Sequence, residues 1–107
     1  MGTYRQGDIV LVSLGKFPAI NLTKTSGEKL EVLGESGNHI HTVSDVSVYK
    51  GTDEGIPVTI IHALQERNMI HSSLNPDQDE DLHPDLCFPA GIYEIHQARE
   101  FDGLVGD

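Results

Sequence analysis

Pro57-Val58-Thr59-Ile60-Ile61-His62-Ala63-Leu64 is a short, β-branched, apolar run, and it carries the strongest strand signal in the chain. Just after it, Arg67-Asn68 reads as a tight turn into a second strand over Met69 to Ser72, predicting a hairpin. Outward in both directions the pattern stays short and alternating. Asp8 to Leu14 closes at Gly15 and Pro18, and Lys29 to Leu33 stops at Gly34. Val43 to Tyr49 places Val43, Ser47 and Tyr49 on one parity, and Asn75-Pro76-Asp77 opens a loop before strands over Leu82 to Phe88 and Gly91 to Ala98. Nowhere do apolar residues recur at i, i+3, i+4 and i+7 over several turns, so an all-β chain is predicted. About seven strands separated by turn signals predict one small barrel or sandwich over residues 1–107, with 102–107 a loose tail.

A chain of 107 residues can bury a core without a disulfide or an obligatory structural metal. Seven Lys plus Arg against seventeen Asp plus Glu give a formal charge of −10, which repels nucleic-acid phosphates and anionic membrane surfaces. A single cysteine, Cys87, excludes an internal disulfide framework and fits a reducing compartment. The start lacks a signal-peptide core, no apolar run approaches the roughly 20 residues that span a bilayer, and Gln6 stands where myristoylation needs Ser or Thr. These features predict a cytoplasmic protein, with association with a virion as the alternative.

Within Gly34-Glu35-Ser36-Gly37-Asn38-His39-Ile40-His41 lies a His-x-His pair. Residues i and i+2 of a strand share a face, so His39 and His41 can address one ion, and imidazole suits zinc, iron, nickel and copper. His83 precedes the Pro89-Ala90-Gly91 corner, which can return a strand and bring a third imidazole alongside. The spacing Gly34-x4-His39-x-His41-x3-Asp45-x5-Gly51 resembles the first cupin motif, with Asp45 at its acidic place. Cupins carry glutamate there and one more residue in each of two gaps. In the second motif Pro89 and Gly91 match, but Glu94 stands where cupins have a histidine.

A wider resemblance groups the same residues. The chain is similar to a family of small proteins from bacterial and phage genomes, marked by an Arg-x-Gly-Asp start, a central GE-xx-GHxH-like segment and a closing PxGxY. Here these are Arg5-Gln6-Gly7-Asp8, then Gly34-Glu35 with His39 and His41, then His83 with Pro89, Gly91 and Tyr93, and finally Arg99-Glu100-Phe101. Asn38 replaces the usual glycine before the first histidine, and Phe101 a usual tyrosine. The resemblance implies a cupin-like β fold and a polar centre of His39, His41 and His83, and it implies no reaction.

Other candidates carry less. Arg5 and Asp8 with Arg99 and Glu100 predict carboxylate–guanidinium ties between the chain ends; alternatively Arg99 faces the histidines and holds an anionic ligand. Glu35 is a possible fourth ligand or base, or a solvated strand end. The acidic run Asp77-Gln78-Asp79-Glu80-Asp81 resembles a calcium loop but has Leu82 where such a loop needs glycine and Phe88 at its twelfth place. Cys87, between Leu86 and Phe88, reads as a buried inert thiol; His62, His71 and His96 read as half-buried or surface histidines with local hydrogen bonds. The sequence therefore predicts a cupin-like protein holding a divalent transition metal on His39, His41 and His83, with Asp45 or Glu35 in support and a small-molecule ligand possible. Binding is favoured over catalysis because no convincing acid–base pair is present. The alternative is a phage-encoded decoration or accessory module, including an anti-defence role, without catalysis. Few charged strand positions guard the sheet edges, which predicts a homo-oligomer.

Overall fold

The computed structural model describes residues 2–34, 37–74 and 84–98. The fold is all-β, and its centre is the strand on which the sequence was most explicit. β7 (Ile56–Ala63) buries Ile60 and Ile61 completely, although consecutive residues of a strand face opposite ways. A continuous apolar run is what a strand covered on both faces requires. Phe17, in the segment after β2 (Ile9–Leu14), covers part of the outer face by packing edge-on against Tyr49 and His62.

Nine further strands accompany β7 among the described residues: β1 (Thr3–Gln6), β2, β3 (Leu22–Lys24), β4 (Lys29–Leu33), β5 (His39–Ser44), β6 (Ser47–Asp53), β8 (Arg67–Ser73), β9 (Leu86–Phe88) and β10 (Gly91–Gln97). They form a six-stranded sheet in the order β1-β2-β10-β7-β6-β3 and a four-stranded sheet in the order β4-β5-β8-β9, all paired antiparallel. The two make a sandwich whose core includes Ile9, Leu11 and Tyr93 from one sheet and Leu30, Val43, Met69 and Phe88 from the other. Tight turns carry their expected chemistry: Gly7 opens the β1–β2 turn at φ 59, and Glu54-Gly55, both at positive φ, close the β6–β7 turn.

Three expectations change. Arg67-Asn68 is not a turn but the start of β8, paired with Phe88 and Cys87, and β7 and β8 do not form a hairpin. Both edges of β7 are already taken by β10 and β6, so the next strand must join the other sheet, and Leu64–Glu66 carries the chain across. Val43 to Tyr49 is two strands in different sheets, broken where Asp45 adopts φ 60. The count of about seven misses β1 and the three-residue β3, both edge strands. The Asn75 loop, the first part of the Leu82 strand and the 102–107 tail lie outside the described residues.

Candidate functional site

The inner face of the four-stranded sheet changes character along its length. On β5 the inward positions run Val43, His41, His39; on β8 they run Met69, His71, Ser73, with His41 directly opposite His71. The core thus ends in a histidine cluster. The His41 and His71 rings stack nearly parallel (11°) with centroids 4.3 Å apart, and His39 meets His71 edge-on at 4.9 Å. His41 is fully buried and His71 is 8% exposed.

The β1–β2 turn closes over His41 from the six-stranded sheet. Gln6, before the turn glycine, donates through Nε2 to the carbonyl oxygens of Met69 (2.8 Å) and Pro84 (2.9 Å). An amide nitrogen held by two carbonyls fixes the orientation of the group, so Oε1 is the atom that meets His41 Nδ1 at 2.9 Å. An amide oxygen only accepts; Nδ1 therefore carries a proton. Asp8, after the turn glycine, places Oδ1 3.3 Å from Nε2 at the other side of the ring. Its second oxygen, Oδ2, accepts from Gln97 Nε2 at 2.8 Å, and the same amide nitrogen donates to Leu33 O at 2.8 Å. Backbone bonds from Ala98 N to Asp8 O and from Gly34 N to His39 O hold the surrounding chain.

Chemically this is an oriented imidazole facing a carboxylate. A neutral ring with its proton on Nδ1 turns the Nε2 lone pair toward an oxygen that also bears lone pairs, which is repulsive unless a proton or a cation lies between them. The 3.3 Å separation is longer than a short charge-assisted bond of about 2.7–2.9 Å. It matches the edge of a tetrahedron around an ion with both ligands at about 2.0–2.1 Å, roughly 3.3 Å. Gly34 leaves a cradle beside the pair: a Cβ on it would stand 3.7 Å from both His41 Nε2 and Asp8 Oδ1. The stacked partner cannot share that ion, because imidazole binds metals in its ring plane and two parallel planes do not converge.

The ligand set predicted from sequence is therefore redrawn. His39 and His41 do share a face, but the carboxylate beside His41 is Asp8 and not Asp45. Asp45 sits at the β5–β6 turn, about 13 Å along the strand from His41 and beyond buried Val43, with its side chain 76% exposed and 4.0 Å from Arg67. His71, expected to be an ordinary half-buried histidine, belongs to the cluster. His83, Glu35, Arg99 and Glu100 lie outside the described residues. Arg5 donates to Gly7 O; the expected ties to Arg99 and Glu100 lie outside the described residues, and among the described residues the chain ends are joined by β2–β10 pairing and the Gln97–Asp8 bond. Glu94 is on the outer face of β10 with His96, 3.2 Å away. Cys87 is exposed, not buried; desolvation by its neighbours first, then a hydrogen bond to Glu66 and its charge, push its thiol above the ordinary range and lower its thiolate fraction.

Among the described residues no three His, Cys, Asp or Glu side chains are grouped to hold an ion, and no helix is long and apolar enough to cross a membrane. No family model, curated protein or solved structure matches the chain.

Proposed function

We propose that this protein binds a divalent transition metal at the His41–Asp8 pair. The observation that carries the proposal is the fixed amide of Gln6, which commits Nδ1 as a donor and leaves Nε2 aimed at the Asp8 carboxylate. Metal-binding histidines are characteristically oriented this way, by an acceptor on the remote nitrogen, and the ligating carboxylate is itself held, here by Gln97. Zinc, iron, nickel and copper all accept such a nitrogen–oxygen pair. The remaining positions fall to solvent or to further side chains. His83 precedes Pro84, whose carbonyl Gln6 holds, and Glu35 follows Gly34, so both are candidates by adjacency in the chain. The role is binding, for storage of the ion or presentation to a small ligand. A cupin-like ancestry remains part of the proposal.

The test is metal analysis of untagged protein before and after incubation with zinc, iron, nickel or copper, beside Asp8→Asn and His83→Ala variants. The expected result is close to one ion per chain in the wild type and none in folded Asp8→Asn. Absence of metal in the wild type under all four incubations would overturn the proposal and leave a proton between His41 and Asp8, a structural pair.

A second reading, an interaction module that assembles with copies of itself or with a larger surface, draws on the outer side of the four-stranded sheet. There Leu33 and Ile70 stay 54% and 46% exposed, and Leu74, just past β8, 53%. Sedimentation of the wild type beside an Ile70→Lys variant tests it, with a single monomer species in both as the contrary result.

A further inference from the structure

The four-stranded sheet is too narrow to roof the six-stranded one. Its edge strand β4 lies over β6, and beyond that edge one row of the larger sheet is only partly covered. Lys50 pairs with Thr59 across β6 and β7, and continuing the β7–β10 register places Ile95 next in the same row. Together with Val32 and Gln97 these residues line a groove of about 400 Å³, rimmed by Glu31 and Leu33. That volume falls in the range of small-molecule sites.

We infer that this groove binds a small amphipathic carboxylate. Lys50 occupies an inward position of its strand, two residues after buried Val48, where a sandwich ordinarily places an apolar side chain. Among the described residues no carboxylate lies within 4.0 Å of its ammonium, while the rim acid Glu31 is already engaged by Lys29 at 3.5 Å. A ligand carboxylate takes the charge of Lys50 and a hydrogen bond from the Thr59 hydroxyl across the same strand pair. Its hydrocarbon lies on Ile95 and Val32, which are only partly buried and pack on the core from this side. The overall charge of −10 opposes an anion, but screening over about 8 Å at physiological salt limits the remote acids and leaves the local lysine dominant. The occupant is a monoanion with an apolar body. A polyanion would meet Glu31 and the general acidity, and an amine would meet Lys50.

Gln97 is the shared wall. Both protons of its amide are committed, to Asp8 and to Leu33 O, so the groove and the histidine cluster are neighbours through one side chain. The groove assignment nevertheless rests on Lys50, Thr59 and the partly covered row, and stands without an ion at His41.

The test uses hexanoate and octanoate as probes, with octylamine as the control. Binding is followed by NMR shifts of the Ile95 and Val32 methyls, in untreated and in chelator-treated protein. Expected are saturable shifts at these methyls with both acids, tighter for octanoate, about tenfold weaker in Lys50→Met and absent with the amine. Three results would overturn the inference: no shift at the groove with either acid, equal binding by Lys50→Met, or equal binding by the amine. Binding lost only on chelator treatment would assign the acid to the ion and overturn the groove as well. Lys50 is exposed, so its replacement leaves the fold in place; Thr59→Val provides a second variant, expected to weaken binding by a smaller factor.

Discussion

Gln6 joins three parts of the chain with one side chain: it caps the carbonyls of Met69 and Pro84 and orients His41, 35 residues away. Replacing it with leucine would keep the bulk and strand two buried polar groups, Met69 O and His41 Nδ1, while the part-buried Pro84 O also loses its donor. At roughly 1–3 kcal/mol for an orphaned buried group, with some relaxation, Gln6→Leu should cost about 3 kcal/mol. Urea denaturation measures this directly, and a loss under about 1 kcal/mol would mean that the amide does not hold these groups. Gly34 offers the complementary change. Its backbone is not left-handed, and the added methyl of Gly34→Ala would meet its neighbours at 3.5–3.7 Å, ordinary contact. Stability should move by no more than about 0.5 kcal/mol, while affinity for a divalent ion should fall at least tenfold because the cradle beside Nε2 and Oδ1 is filled. Titration of both proteins with zinc separates the two effects. Little of this was legible in one dimension. His39 and His41 announce themselves by adjacency, but Asp8 and His71 reach the cluster through pairing between strands and sheets, which no spacing encodes. Asp45 offered a family-like interval, yet a residue at the far end of the strand is too distant to serve.

Elements were more readable than their partners. β4 runs over the predicted residues, and β7 and β10 differ from prediction by one residue or two at their ends, because alternation and β-branching are local properties. The hairpin from β7 into β8 failed because pairing depends on which edges are free. Edge strands are the least legible, and β3 shows why: it is three residues long and depends on Gly51. A Cβ on Gly51 would stand 2.3 Å from the carbonyl oxygen of Asn21 and 2.9 Å from a Leu22 methyl. Backbone cannot yield as a flexible side chain can, so Gly51→Ala should cost about 1–3 kcal/mol. Hydrogen exchange should show the loss first at the Thr25 amide, which bonds Val48 O at 2.8 Å. Protection unchanged at Thr25 would place the β3–β6 contact elsewhere. On β10, Tyr93 is buried and donates its hydroxyl to Pro89 O at 2.6 Å, closing the Pro89–Gly91 corner. Desolvation, then the charge of Tyr4, push its ionisation upward. The unfolded chain therefore loses this proton first, near pH 10. The stabilisation is complete below that pH and is lost as pH rises through the raised folded value. Tyr93→Phe should lower stability by about 1 kcal/mol at neutral pH and flatten its share of the alkaline decline in a pH series of thermal melts.

Over the whole molecule the charge of −10 acts on every element at once. Like charges spread over one small surface raise the free energy of the compact state, and monovalent salt relieves this by shortening the screening length from about 30 Å at 0.01 M to about 10 Å at 0.1 M. Sodium chloride should therefore raise the melting temperature gradually over that range, equally in wild type and in Asp8→Asn, which carries one acid fewer. An ion bound by His41 and Asp8 acts differently: it binds only the folded chain, and its effect follows the ratio of free ion to Kd, reaching about 2.7 kcal/mol at a hundredfold excess over Kd. Zinc at micromolar concentration in 0.1 M sodium chloride should thus raise the melting temperature further in the wild type, at a level where diffuse screening is already saturated. The increment should vanish in Asp8→Asn. Equal increments in both proteins would assign zinc to the diffuse acidic surface, and no increment in either would leave His41 and Asp8 joined by a proton alone.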